Sequence, residues 1–187
     1  DGTAKGGIVV RIVRELKEMD LRVAATKLTG VGRLKDLLAM WDAGADAIVD
    51  FVDAGLPSTA VPTAVFEPAL QWILARLAES DPDVVVAEAG ASPLEPYNGE
   101  AVVRILGDRR RCTVLCASDP YAVVGVISGF DVPPDLVSGL AASTEAAIAL
   151  LERLCPVPAL NLLDPASRPA LRRVLQECLG NLDRDRR

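Results

Sequence analysis

The chain has 187 residues, half of them hydrophobic, a quarter charged and 4% aromatic, with a net charge of −6. An acidic surface of this kind repels nucleic acid and anionic membranes. The chain holds no histidine, which excludes Ser-His-Asp and Cys-His catalysis within it and removes the commonest zinc ligand.

The length is read as one domain over residues 1–180 with a buried core, ending in a charged tail over 181–187. A glycine-rich turn, Gly2-Thr3-Ala4-Lys5-Gly6-Gly7, leads into a first helix expected over Ile8 to Met19. Its apolar stripe is Val9, Ile12, Val13, Leu16 and Met19. Leu21 to Ala25 is predicted as a strand feeding a polar loop, Thr26 to Arg33, and a short helix over Leu34 to Trp41. A second strand over Ala47 to Val52 ends at Asp53-Ala54-Gly55-Leu56-Pro57. A long helix over Thr63 to Glu79 buries Phe66, Leu70, Ile73, Leu74 and Leu77. Asp83 to Glu88 reads as the clearest buried strand, being short and β-branched. A loop over Ala89 to Gly99 precedes a helix over Glu100 to Leu106.

Cys112 to Ala117 is the next predicted strand, and Asp119-Pro120 starts a helix. Leu136 to Gly139 reads as a strand end, and Ser143 or Thr144 caps a helix running to Leu154. A last strand is expected over Pro158 to Leu162 and a last helix over Ser167 to Leu179, closed by Gly180. The cysteines Cys112, Cys116, Cys155 and Cys178 form no Cys-x-x-Cys pair and read as reduced core residues. No apolar run is long enough to cross a bilayer and no signal peptide is visible, so a cytoplasmic protein is expected.

Alternating helices and strands predict an α/β fold: a parallel sheet with helices on both faces. Ligands in such sheets bind beyond the carboxyl ends of the strands. Lys27, Asp53, Glu88 and Ser118 all follow apolar runs and are expected to gather there. Gly2, Thr3, Lys5, Gly6 and Gly7 are candidate phosphate contacts, since a glycine turn before a helix aims free amides at an anion; a surface turn is the alternative. Lys27 with Thr29 could bind a substrate carboxylate or a phosphate, or be solvated. Asp53 and Glu88 offer the hard oxygens Mg²⁺ requires, with Asp53 favoured over Asp50, although Asp53 could merely cap a turn. Ser58 and Thr59, and Ser92, Tyr97 and Asn98, are candidate substrate contacts, with ordinary loop hydrogen bonding as the alternative.

At these loops the chain resembles the SIMIBI-type P-loop proteins, dethiobiotin synthetase among them, and more closely the P-loop domain of the D-glutamate N-acetyltransferase family. Gly2-Thr3 and Lys5-Gly6-Gly7 look like the phosphate loop, Lys27 the substrate-side lysine, and Asp53 the metal-binding aspartate. Glu88-Ala89-Gly90-Ala91 looks like the acidic turn, and Pro96-Tyr97-Asn98-Gly99 like a further family loop. The departure is at Ile8-Val9-Val10, where the family has Gly-Lys-Ser/Thr. The resemblance implies a P-loop NTPase-like three-layer sandwich whose first strand is missing from the chain. It also implies a further α/β domain upstream. A nucleotide-binding enzyme is expected, using ATP and Mg²⁺ on a small carboxylate or amino-acid-like substrate, with Lys27 and Glu88 catalytic. Acyl transfer from acetyl-coenzyme A to an amino acid, and a non-catalytic assembly domain, are the other readings. A homo-oligomer is expected.

Overall fold

The computed structural model describes residues 2–90, 92, 95–129 and 133–180, with side chains from residue 6 onward. The chain is α/β, with two parallel sheets and seven α-helices among the described residues. Its elements form two compact units, Val9–Gly107 and a second made of Asp1–Ile8 with Asp108–Arg187. The tail expected over 181–187 lies outside the described residues.

Helix α1 covers Gly2–Lys17, and the division between the units falls within it. In the Val9–Gly107 unit there follow β1 (Val23–Thr29), α2 (Leu34–Asp42), β2 (Ala47–Asp50), α3 (Thr63–Ala78), β3 (Val84–Ala89) and α4 (Gly99–Leu106). The strands lie in the order β2-β1-β3, all parallel. Period-2 alternation sorts β1 into two faces. Ala24 and Leu28 join Phe66, Leu70, Ile73 and Leu77 of α3 and Ala101 and Val102 of α4 in one core cluster. The opposite face carries Lys27, whose ammonium reaches Asp36 on α2. Helices therefore cover both faces of this sheet, in three layers. Phe66, Leu70 and Ile73 are fully buried, which is the i, i+4, i+7 stripe that drives α3 onto the sheet at about 1.5–3 kcal/mol for each such side chain.

The strand starts are fixed by one device used three times. Asp46, just before β2, donates its N–H to Val23 O at 2.7 Å, and its Oδ2 accepts from Val23 N at 2.7 Å. Asp83, just before β3, pairs in the same way with Arg22, at 2.9 and 2.8 Å. In the other unit Asp135 does so with Thr113, at 2.8 and 2.6 Å. Each reciprocal clamp satisfies an amide that the ladder leaves open and sets the register of the neighbouring strand.

The second unit contains β4 (Val114–Ala117), α5 (Pro120–Gly129), β5 (Leu136–Gly139), α6 (Glu145–Leu154) and α7 (Arg168–Leu179). β4 and β5 pair in parallel, and Ala117, Val123, Val137, Leu151 and Cys155 share its core. Thr144 caps α6 by accepting from Ala147 N at 3.2 Å. The strand expected over Pro158 to Leu162 is reduced to a single parallel bridge, Val137 to Ala159, because Pro158 has no N–H to offer a ladder.

Two further expectations are corrected. Thr26 to Thr29 belong to β1 and not to a polar loop; β1 is the central strand, so pairing on both sides overrides their polarity. β3 is not buried throughout but alternates half-buried and exposed residues, as an outer strand with one better-covered face does.

Candidate functional site

Asp50, Lys27 and Glu88 lie side by side across the sheet, for Lys27 is in register with Asp50 on β2 and with Glu88 on β3. Registered residues on parallel strands point to the same face. One cation therefore sits between two carboxylates near the carboxyl ends of the strands. Asp36 of α2 adds a third. Lys27 Nζ donates to Asp36 Oδ2 at 2.6 Å and to Val31 O at 3.1 Å, and its side chain is only 9% exposed. A buried ammonium requires such partners. Lys27 is thus a strand residue held in an ion pair, and not a loop lysine reaching outward.

The lysine stem runs beneath two glycines. A Cβ on Gly30 would lie 3.5 Å from Lys27 Cε, and one on Gly90 would lie 3.6 Å from the same atom. Gly30 has φ +116°, and a Cβ on Gly90 would come within 2.8 Å of Thr29 O. Both positions need glycine, the first for its backbone conformation and the second for close chain approach.

Above the charged row an uncharged web ties the three strand-end loops together. Thr29 Oγ1 donates to Gly90 O at 2.8 Å. Thr59 Oγ1 accepts from Gly30 N at 2.9 Å and donates to Tyr97 O at 2.8 Å. Ser58 Oγ donates to Gly30 O at 3.3 Å. Asn98 sits in the left-handed region at φ 63°. Its Nδ2 donates to Thr59 O and Val61 O, both at 2.8 Å, and its Oδ1 accepts from Thr63 Oγ1 at 2.8 Å. The predicted substrate contacts Thr29, Ser58, Tyr97 and Asn98 are therefore brought together. The bonds of the Thr29, Ser58 and Asn98 side chains, and of the Tyr97 carbonyl, run to neighbouring loops, which is the ordinary structural role.

The acids divide the work differently from the expectation. Asp53 is exposed and its Oδ2 accepts from Asp50 N at 2.9 Å, the turn-capping alternative. Asp50 is the buried one, 3% exposed. Its Oδ1 accepts from Val52 N at 2.7 Å and from Asp53 N at 3.4 Å. Burial pushes the Asp50 carboxyl above its ordinary range; those amides oppose the shift, the Asp53 charge adds to it, and Lys27 opposes it weakly. Glu88 is half-buried, with Oε2 shielded from solvent. Asp50 and Glu88 stand two strand spacings apart, about 9–10 Å along the sheet. Asp50, Asp53 and Glu88 are hard oxygen donors of the type Mg²⁺ prefers, but across that spacing Glu88 could share an ion with the two aspartates only through the waters such an ion keeps, and these acids are not among the described residues whose ligand atoms converge.

The glycine-rich segment is corrected. Gly2, Thr3, Lys5, Gly6 and Gly7 belong to α1, not to a turn before it. From the fifth residue of a helix onward the amides are committed to the helix ladder, so those of Gly6 and Gly7 are not free for a phosphate. A Cβ on Gly7 would lie 3.2 Å from Leu163 Cδ2, so the missing side chain here serves packing. The side chains of Thr3 and Lys5, and Ala91 of the acidic turn, lie outside the described residues. Ser118 is in the Asp108–Arg187 part of the other unit, where its Oγ donates to Asp119 Oδ2 at 2.8 Å while Asp119 Oδ1 caps α5 through Ala122 N.

Sequence reasoning missed Asp36 and ranked Asp50 below Asp53. The available signal was registration: an acid four residues into a strand that parallels Lys27 falls beside it. No helix among the described residues is long and apolar enough to cross a membrane. No protein-family model, curated protein or solved structure matches the chain significantly.

Proposed function

We propose that the Val9–Gly107 unit is the ligand-binding part of a nucleotide-dependent enzyme. It takes a phosphate-bearing nucleotide with Mg²⁺, and a small carboxylate or amino-acid-like substrate, at the carboxyl edge of its sheet. The observation that carries this reading is the Asp50–Lys27–Glu88 row lying under the loops that begin at Gly30 and Gly90. A fixed cation among acids at the ends of parallel strands suits charge neutralisation of an anionic reactant.

In this reading Lys27 is a positioning residue. An ammonium has three N–H bonds; two go to Val31 O and Asp36, and the third is the one an arriving carboxylate or phosphate would use. Asp53 and Glu88 would hold Mg²⁺ or its waters, and the ion would offset phosphate charge. The helical Gly2–Gly7 segment has no part in the reading. Catalysis would consist of positioning and electrostatics.

Both tryptophans, Trp41 and Trp72, lie in this unit, so their fluorescence during heating reports on it. ATP, GTP and acetyl-coenzyme A are compared, each with and without Mg²⁺. Ligand at 100 times Kd stabilises by about 2.7 kcal/mol. The expected result is a Mg²⁺-dependent rise in Tm with a nucleoside triphosphate that Glu88→Gln and Asp53→Asn abolish. No shift at millimolar nucleotide overturns the reading, and a shift with acetyl-coenzyme A alone replaces it with acyl transfer.

A further inference from the structure

In the second unit, three ligand-type side chains far apart in sequence converge. Cys112 immediately precedes Thr113 at the start of β4, Asp135 precedes β5, and Cys178 lies in the last turn of α7. One ligand atom from each, the two Sγ and a carboxylate oxygen, lies within 4.8 Å of the others. We propose that Cys112, Cys178 and Asp135 form a site for a thiophilic divalent cation, Zn²⁺ or one of similar preference, with a fourth position open to water.

The geometry fits the ion. Tetrahedral Zn²⁺ with bonds of about 2.3 Å to sulfur and 2.0–2.2 Å to oxygen places its ligand atoms roughly 3.5–3.8 Å apart. Atoms already within 4.8 Å need only small inward shifts. Two thiolates select against Mg²⁺ and Ca²⁺ and favour the softer end of the divalent series. The carboxylate is held in place beforehand, since Asp135 Oδ2 accepts from Thr113 N at 2.6 Å. That bond orients the group in the manner of an outer-shell contact. Asp135 is exposed and both cysteines are half-buried, so an ion has a way in while the sulfurs are partly shielded. Binding displaces one proton from each thiol and forms two S–metal bonds, so no oxidant or reductant is needed. A Cys112–Cys178 disulfide is the competing chemistry. It would release two protons and pass two electrons to an oxidant, and would leave Asp135 only its clamp on Thr113.

The test uses the full chain, reduced and stripped of metal by a chelator. Zn²⁺ is titrated in competition with a chromophoric chelator, and Co²⁺ is added separately to read thiolate-to-metal charge transfer in the near ultraviolet. One ion per chain is expected, with the charge-transfer band present. Cys112→Ser and Cys178→Ser should each weaken binding at least 100-fold and lose most of the band. Asp135→Asn, which can keep the clamp on Thr113, should weaken binding about tenfold. Cys116→Ser and Cys155→Ser should bind as the unaltered chain does. Circular dichroism of each variant separates loss of ligand from loss of fold. Failure of the reduced chain to take up one ion, or uptake unchanged by both Cys112→Ser and Cys178→Ser, overturns the site. So does quantitative thiol loss to a Cys112–Cys178 disulfide in air that Zn²⁺ does not slow.

Discussion

Replacing Lys27 by Met tests whether the lysine is a structural ion or a solvent-facing group. Methionine keeps an unbranched apolar stem of similar length under Gly30 and Gly90, so packing changes little. What is lost is the ammonium, and Asp36, Asp50 and Glu88 remain around its place. Removing one partner of a buried pair costs about 3–5 kcal/mol. Here Asp36 is 22% exposed and can recover some hydration, which brings the expected loss to about 2–3 kcal/mol. With a urea slope of about 1.5 kcal/mol/M for a domain of this size, the midpoint read by Trp41 and Trp72 should fall by about 1.5–2 M. Asp36→Asn combined with Lys27→Met should cost less than the sum of the two alone, with a coupling above about 1 kcal/mol. A midpoint shift below about 0.3 M at neutral pH, with the slope unchanged, would refute the buried pair and return Lys27 to the role of a free loop cation.

Gly90→Ala should destabilise the unit by about 2 kcal/mol or more in the same urea assay, since its Cβ would lie 2.8 Å from the Thr29 carbonyl oxygen and backbone cannot give way cheaply. Thr26 is fully buried and its Oγ1 has no hydrogen-bond partner among the described residues; Thr26→Val should therefore stabilise by about 1 kcal/mol, and a loss would reveal a hidden partner. Asp50 has its carboxyl raised in the folded state, so its contribution declines as pH rises from the ordinary value near 3.9 through the raised one, and the cost is fully present above it. Asp50→Asn keeps an acceptor for Val52 N and should match the parent at pH 4 but exceed it at pH 7, as read from urea midpoints.

The elements that could be read from the chain were those with a single unambiguous period. The Phe66, Leu70, Ile73, Leu77 stripe defined α3, and the Ser143-Thr144 pair marked the start of α6, with Thr144 the cap. Lys27 shows where that approach fails. Thr26-Lys27-Leu28-Thr29 has the composition of a loop, yet it occupies the central strand, paired on both sides, with Asp36 arriving from α2 to satisfy the cation. Long-range pairing of this kind leaves no local trace. The same holds for Cys112 and Cys178, which are 66 positions apart in sequence and meet only through β4 and α7. Gly6 and Gly7 misled for the opposite reason: two glycines beside a lysine resemble an anion loop, but the amphipathic run after them extends a helix back through both.

The aspartates give the most general account of why polar chemistry collects where it does. Asp46, Asp83 and Asp135 each sit immediately before a strand and use both carboxylate and amide on the neighbouring strand's backbone. Acids at strand starts are thereby consumed by the architecture, with their charge offset at two of the three sites, by Lys17 at Asp46 and by Arg22 at Asp83. Acids at strand ends have no such ladder amides beside them. Asp50 turns to the amides of its own loop, and Glu88 is in register with Lys27. Sequence position relative to an apolar run thus separates the two classes: an Asp preceding the run clamps the neighbouring strand, and an Asp or Glu closing it does not. Asp135 is the informative exception, for its clamp is intact while Cys112 and Cys178 close on the same carboxylate. At that position the structural bond prepares the ligand instead of using it up, and this is why Asp135→Asn is expected to keep the fold and weaken the binding of the ion.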